Sequence, residues 1–345
     1  MLYLFLKGIM DRNQLKDRLI DIGLHHHHEH LGGCVKSHLL WEIAKQRGIN
    51  PLGVNSYELF DSRFVVDHMD HDAYVDNKFA LTHIIQSSPD AVKMSVFYAA
   101  SEAYRTSKIK SLEIRFNPMF RNQEKFYDLD VIIMNAVAGA KLASQAYPIK
   151  VGIIIEADRR FNQEQMQILA EKAVQYTDIG VCGFDISGGS DEPIRDFRNS
   201  FMGDIYEYLT DNHVYTTIHL SETGDKNEVD GAILDGKENV LHRIGHGIHI
   251  YNDERIMDKV INNDICLEIC PTSNVKLGVV NGWHHMGHIL RKLYDYGVEF
   301  SINTDATEFM GITLLDEYLN LFDRSIFSYH ELIEIARTSG KYSFV

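Results

Sequence analysis

The chain has 345 residues, 45% of them hydrophobic and 24% charged, a composition that suits a folded globular protein with a large core. Its 34 Lys+Arg against 49 Asp+Glu leave a net charge of −15, which argues against a nucleic-acid backbone as the main partner, since phosphates require concentrated cations; a local basic pocket for one small phosphate stays open. Four cysteines (Cys34, Cys182, Cys266, Cys270) without disulfide or zinc-knuckle spacing point to a reducing, cytoplasmic setting, and no apolar run reaches the roughly 18–20 residues of a membrane span.

Taken in chain order, Met1 to Ile9 is too short for a signal-peptide core and lacks a basic leader, and Met10 before Asp11-Arg12-Asn13 reads as an alternative start. Strands are expected at Leu19–Leu24, Ser111–Phe116, Lys150–Glu156, Val181–Ile186, Val214–His219, Val240–Ile244, Ile265–Cys270 and Glu299–Asn303. Most are short, apolar and β-branched, as in strands covered on both faces. Helical segments alternate with them: in Gln163–Thr177, Met166, Leu169, Ala170 and Ala173 fall at helical spacing. Eight strands alternating with helices predict an α/β fold, a (β/α)8 TIM barrel, and the absence of a linker or repeat predicts one domain over residues 1–345. The gap of more than eighty residues between the first two strands is filled by helical stretches, an insertion at about residues 60–110. Ser88-Pro89-Asp90 reads there as an N-cap with proline at the first helical position, leading into an apolar face of Val92, Val96, Ala99, Ala100 and Ala103. The insertion is read as a pocket lid, with a packing elaboration as the alternative.

Groups able to bind metal or move protons recur at the ends of these strands. In His28-Glu29-His30 alternate side chains of an extended chain point the same way and can grip one ion, although the run from His25 to His28 leaves pairs at His25/His27 or His26/His28 open from spacing alone. His219 ends a strand and Glu222 follows in the turn. His246 stands between Gly245 and Gly247, where missing side chains leave room for close approach. Asp305 closes the last strand, with a helix N-cap as its structural competitor. All of them fall on the C-terminal rim, which carries the active site in barrel enzymes. The signatures of cytidine-deaminase-type enzymes and zinc proteases are absent.

These residues lie within a longer ordered set: His-x-His-Leu-x-Gly at residues 28–33, Leu112-Glu113-Ile114-Arg115-Phe116-Asn117-Pro118, Gly183-Phe184-Asp185-Ile186-Ser187-Gly188, His219-x-x-Glu222, Arg243-Ile244-Gly245-His246-Gly247, Cys270-Pro271-Thr272-Ser273-Asn274 and Thr304-Asp305. The chain thereby resembles the adenosine/adenine/AMP deaminase branch of the metal-dependent amidohydrolases, from about Ile20 to Phe344. The leucine after His30 favours His28 and His30. The resemblance implies one zinc ion per chain held by His28, His30, His219 and Asp305, with another divalent ion as the alternative. It implies that His246 orients and helps deprotonate the attacking water, that Glu222 protonates the ring nitrogen, and that Gly188 contacts the purine edge. The implied reaction releases ammonia from a small-molecule aminopurine, adenosine first. The alternatives are a modified nucleoside, a nucleotide or another amino-heterocycle, and a non-catalytic nucleotide-binding barrel.

The chain departs from that pattern at substrate-reading positions. Ala306 stands where the family has a second aspartate, for which Thr307, Glu308 or a lid side chain would have to substitute. Gly32 stands where an acidic or amide residue is common, which predicts space for a bulkier or phosphorylated substituent. Leu220 and Ser221 replace the usual alanine and glycine, and the turn from Gly188 to Glu192 is longer than usual.

Overall fold

The computed structural model describes residues 11–64, 66, 69–123, 125–189 and 194–345. Met1 to Met10, and Ser190, Asp191 and Glu192 of the long turn, lie outside the described residues.

Among the described residues nine parallel strands make the barrel wall: β1 (His25–His30), β2 (Ser111–Phe116), β3 (Lys150–Asp158), β4 (Val181–Ser187), β5 (Tyr215–Thr216), β6 (His219–Leu220), β7 (Arg243–His246), β8 (Cys266–Ile269) and β9 (Phe300–Ile302). β5 and β6 are two pieces of one stave, so the barrel has the eight staves of a TIM fold. Pairing runs β1-β2-β3-β4-β5 and β6-β7-β8-β9, and an isolated parallel bridge, Glu29 to Asp305, joins the two ends. Among the described residues no helix is long and apolar enough to cross a membrane.

The first expected strand, Leu19–Leu24, is corrected. Arg12–Ile22 is a helix, started by a capping box between Asp11 and Gln14, with Leu15 and Leu19 buried one turn apart. The strand is instead the histidine run that follows. Its side chains are polar because this barrel's interior is polar, so hydrophobicity does not mark it. The other seven strand positions coincide with observed strands to within a few residues, the fifth being split.

Outer helices cover the sheet. Ser88 caps the helix Pro89–Ser107 by accepting from the Ala91 N–H, and Val92, Val96, Ala99 and Ala100 are buried. This helix packs on Leu129–Ala146 so closely that a Cβ at Gly139 would sit 2.5 Å from the Lys93 carbonyl oxygen. Between β1 and that helix come Ser37–Gln46, Tyr57–Asp61, His71–Tyr74, a single π-helical turn at Val75–Phe79, and Ala80–Ile85. Single π turns inside helices often mark functional sites, and this one faces the barrel mouth.

Inside the barrel, charges replace hydrocarbon. Arg115 pairs with Asp185 (2.8 Å) and Glu268 (2.7 Å), and Arg243 pairs with Glu268 (2.7 Å) and Glu113, all fully buried. Buried charges persist only when so paired and bonded. This lattice forms the floor beneath the site.

Candidate metal and catalytic site

β1 carries His28 and His30 to the rim, β6 delivers His219, β7 ends in His246, and Asp305 follows β9. His28 lies 4.6 Å from His219, 4.9 Å from His246 and 5.3 Å from His30 between ring centroids. Nε2 of His30 is 3.2 Å from Nε2 of His219, and Oδ1 of Asp305 is 3.4 Å from Nε2 of His30 and 3.7 Å from Nε2 of His28. Two overlapping sets of donors share His28: one with His219 and His246, one with His30 and Asp305, each set within 4.8 Å.

The opposite nitrogens explain the orientation of these rings. Nδ1 of His28 meets Glu268 at 2.7 Å, Nδ1 of His30 meets Glu156 at 3.3 Å, and Nδ1 of His219 meets Asp185 at 3.1 Å. Each carboxylate anchors one ring nitrogen and turns the other toward the common centre, the arrangement that orients imidazole ligands in metal sites. Nε2 of His28 is buried with no hydrogen-bond partner. Burial, with Arg115 next in effect, drives the His28 pKa well below its usual value, so the ring is neutral and able to ligate. Oδ2 of Asp305 accepts from Ser273 at 2.6 Å, which aims the other oxygen at the histidines. Three imidazoles and one carboxylate, with an unsatisfied nitrogen at their centre, fit a tetrahedral divalent ion.

Local backbone is bent to make this possible. Ser221, His246 and Asp305 all have left-handed φ values, 53°, 59° and 69°. Strained non-glycine residues of this kind cluster at active sites. Asp305 is not a helix cap: the short helix Thr307–Met310 starts at Ala306, without a side-chain cap. The turn from His219 to Glu222 is held by Glu228, which accepts from the Ser221 N–H (2.8 Å) and pairs with Arg159 (3.3 Å), while Arg159 donates to the His219 carbonyl (2.8 Å). Glu222 Oε2 then sits 3.5 Å from Nε2 of His246, whose other nitrogen contacts the Asn274 amide at 3.1 Å.

His71, from the helices between β1 and β2, also reaches Glu222, with Nε2 3.1 Å from Oε2. Burial works against the charge on each partner. Even so, the ion pair raises the His71 pKa to about 9, and His246 and His71 together hold Glu222 far below the usual carboxylate range. Glu222, His246, His71 and Gly188 line one cavity with His30, His219 and Asp305. Gly188 has φ 123°, and a Cβ there would meet Arg159 and Asp158 at 3.2 Å, so the backbone itself forms that part of the wall.

The structure thus brings together His28, His30, His219, His246, Glu222, Asp305 and Gly188. Two substitutes suggested for the missing aspartate are engaged elsewhere. Thr307 bonds Glu29 through its N–H (2.9 Å) and its hydroxyl, and Glu308 accepts from the Ser37 N–H and pairs with Lys36, both at 3.0 Å. Ala306 is buried, its methyl against Gly33. The space expected at Gly32 is filled: a Cβ there would lie 2.6 Å from the Phe79 ring and 2.8 Å from the Thr82 hydroxyl. Sequence reasoning gave no role to Glu268, Asp185, Glu156, His71, Asn117 and Arg121. Asp185 and Asn117 stand in the ordered motifs and Glu268 is the lone charge of an apolar strand, whereas Glu156, His71 and Arg121 carried no such signal.

The chain matches the family model described as adenosine deaminase over residues 24–345. It is 28% identical over 340 residues to an adenosine deaminase from Clostridium acetobutylicum, covering 96% of this chain and 95% of that protein. The crystal structure of an adenine deaminase from Arthrobacter aurescens superposes with a TM-score of 0.81 at 17% identity, over 93% of this chain and 94% of that one. The N6-methyl-AMP deaminase from Arabidopsis thaliana gives 0.78 at 23% identity, over 96% and 94%.

Proposed function

The chain belongs to the adenosine deaminase family of metal-dependent aminohydrolases, and from that premise we propose that it is a zinc-dependent deaminase releasing ammonia from an adenine-containing nucleoside or related aminopurine, with adenosine the leading substrate. The observation that carries the reading is the convergence of four donors from β1, β6 and the end of β9, each histidine anchored from behind by a carboxylate.

His28, His30, His219 and Asp305 would hold the ion. When bound, a zinc ion supplies Lewis acidity that brings the pKa of water toward neutrality. His246 is placed to orient the attacking water and take up its proton; its ring is fixed by Asn274, and burial keeps its pKa below the usual value despite the Glu222 carboxylate beside it. Glu222, at the cavity wall, is an anion while paired with His71; substrate entry displaces that pairing and leaves a protonated carboxyl, which gives its proton to the ring nitrogen next to the amino-bearing carbon and makes that carbon electrophilic. Gly188 presents backbone to the purine edge. Water adds and the carbon becomes tetrahedral; His246 returns the proton it took to the amino group, which departs as ammonia, and the added hydroxyl gives its proton back to Glu222 as the carbonyl forms. Of the helices at residues 60–110, the short ones from His71 to Ile85 act as a lid, while Pro89–Ser107 is an outer helix of the barrel: His71 engages Glu222, and Asp76 pairs with Arg160 across the mouth at 3.3 Å.

The test is ammonia release and the change in ultraviolet absorbance when zinc-loaded protein is incubated with adenosine, adenine, AMP and N6-substituted analogues. Turnover should cease after chelation and return with zinc. Turnover of none of these aminopurines by metal-loaded, folded protein would refute the substrate class.

A further inference from the structure

Arg121 differs from the other arginines that line or underlie the cavity. Arg115, Arg243, Arg159 and Arg160 each meet carboxylates. Arg121, in the loop after β2, is only 2% exposed and lines the cavity, yet Nε and Nη1 have no hydrogen-bond partner. Among the described residues no carboxylate comes within ion-pair distance of it. Glu156, whose field reaches the guanidinium, is committed to His30 and Ser187. Burial lowers the Arg121 pKa to about 10, a sign of how poorly this environment solvates the cation.

A second unpartnered donor stands beside it in sequence and on the same wall. Asn117 is 3% exposed, and its Oδ1 accepts from the N–H groups of Met119 (2.9 Å) and Phe120 (3.3 Å), which shapes the loop. That leaves Nδ2 buried without a partner on a residue that lines the cavity. Buried donors are almost always satisfied, and a buried charge needs a counter-charge. A guanidinium fork matches a carboxylate or phosphate in two parallel bonds. The cavity's own carboxylates are already used: Asp158 and Asp76 by Arg160, Glu222 by His71.

We propose that Arg121 and Asn117 form a subsite for an anionic group of the substrate, a phosphate or a carboxylate. The proposal rests on the deaminase reading and narrows it to acidic aminopurines. It also gives the cavity a specificity element where Ala306 and the filled space at Gly32 supply none.

The experiment compares kcat/KM for adenosine, its 5′-phosphate and its 5′-carboxylate in the wild type, Arg121→Met and Arg121→Lys, each checked for fold by circular dichroism and for metal content. In the wild type one of the two anionic compounds should exceed adenosine, and which one identifies the group. In Arg121→Met the ratio of anionic to neutral kcat/KM should fall about 10- to 100-fold, carried by KM, as expected for loss of charge-assisted hydrogen bonds. Arg121→Lys, which keeps the charge and breaks the fork, should lie between and serves alone where the methionine variant does not fold. Calorimetric titration of the zinc-loaded protein with inorganic phosphate and with benzoate is the readout independent of turnover. Anion binding that Arg121→Met weakens tenfold, without turnover of any aminopurine, keeps the subsite and removes the deaminase reading. A wild type that prefers adenosine, a ratio unchanged in Arg121→Met, or anion binding indifferent to Arg121 overturns the subsite.

Discussion

Replacing Glu268 with glutamine isolates the contribution of the carboxylate behind His28. Glu268 is fully buried: Oε2 accepts from Nδ1 of His28 and from Arg115, both at 2.7 Å, while Oε1 accepts from the Thr217 hydroxyl (3.0 Å) and pairs with Arg243 (2.7 Å). Burial alone would raise its pKa, but Arg115 and Arg243 hold it at about 2, so it is a full anion. Glutamine keeps the shape and removes the charge. Arg115 keeps Asp185 and Arg243 keeps Glu113, so neither guanidinium is orphaned and the loss falls on His28. Removing an outer partner of a histidine ligand weakens metal binding about 10- to 100-fold, or about 1.4–2.8 kcal/mol. Bound metal stabilises the native state with the logarithm of its affinity. The melting-temperature gain on adding zinc should therefore shrink by about 2–4 °C in a chain of 345 residues. Chelator competition gives the affinity, and melting with and without zinc gives the increment within one variant, which cancels any change in the metal-free protein. A folded Glu268→Gln protein with unchanged zinc affinity and an undiminished increment would refute the reasoning.

Glu222→Gln should retain its metal, measured by elemental analysis, and lose about 10²–10⁴ in kcat for ammonia release, the usual scale for a general acid; undiminished kcat would remove Glu222 from proton transfer. His71 has a folded pKa of about 9 against 6.5 for the free group, so its pair with Glu222 contributes fully below pH 6.5 and is lost as the pH climbs to about 9, by about 3 kcal/mol. His71→Gln should flatten the fall in urea stability over that window, and an equally steep fall would show that the pair is not its origin. Ser221 sits at φ 53°, with its buried hydroxyl unpartnered, so Ser221→Gly should gain about 1 kcal/mol by relieving left-handed strain, seen as a melting temperature about 1–2 °C higher. A lower melting temperature would mean that serine suits this turn.

What the sequence disclosed followed burial. Ser111–Phe116 was legible to the residue because both faces of β2 are covered, whereas β1 was hidden because its residues face charges, and the neighbouring leucines belonged to an amphipathic helix. The stave ending at His219 read as one strand, and its backbone stays bonded to both neighbours through Thr217 (N–H to the Phe184 carbonyl, 2.9 Å) and Ile218 (carbonyl accepting from the Gly245 N–H, 2.8 Å), although the regular ladder is divided into β5 and β6. The donors were readable because histidine and aspartate at strand ends have few structural reasons to recur. Arg121 and His71 were not, because a single charged residue in a loop or short helix looks like solvated surface until the fold encloses it. Gly32 misled for the opposite reason: a missing side chain implies room only when nothing else moves in, and Phe79 does.

The seam between β1 and β9 carries a backbone bridge at Glu29 and Asp305, with the His30 N–H donating to the Asp305 carbonyl (2.9 Å) and the Asp305 N–H to the His28 carbonyl (3.1 Å), and beside it Asn303 Oδ1 accepts from the His27 and His28 N–H groups (2.8 and 3.2 Å). The donors straddle that seam, and His219 begins the strand just past the break in the fifth stave. An ion held by these donors would thus tie the two edges of the seam together. Loading the site with zinc is therefore expected to slow amide hydrogen exchange at His30 and Asp305, whose N–H groups make those backbone bonds.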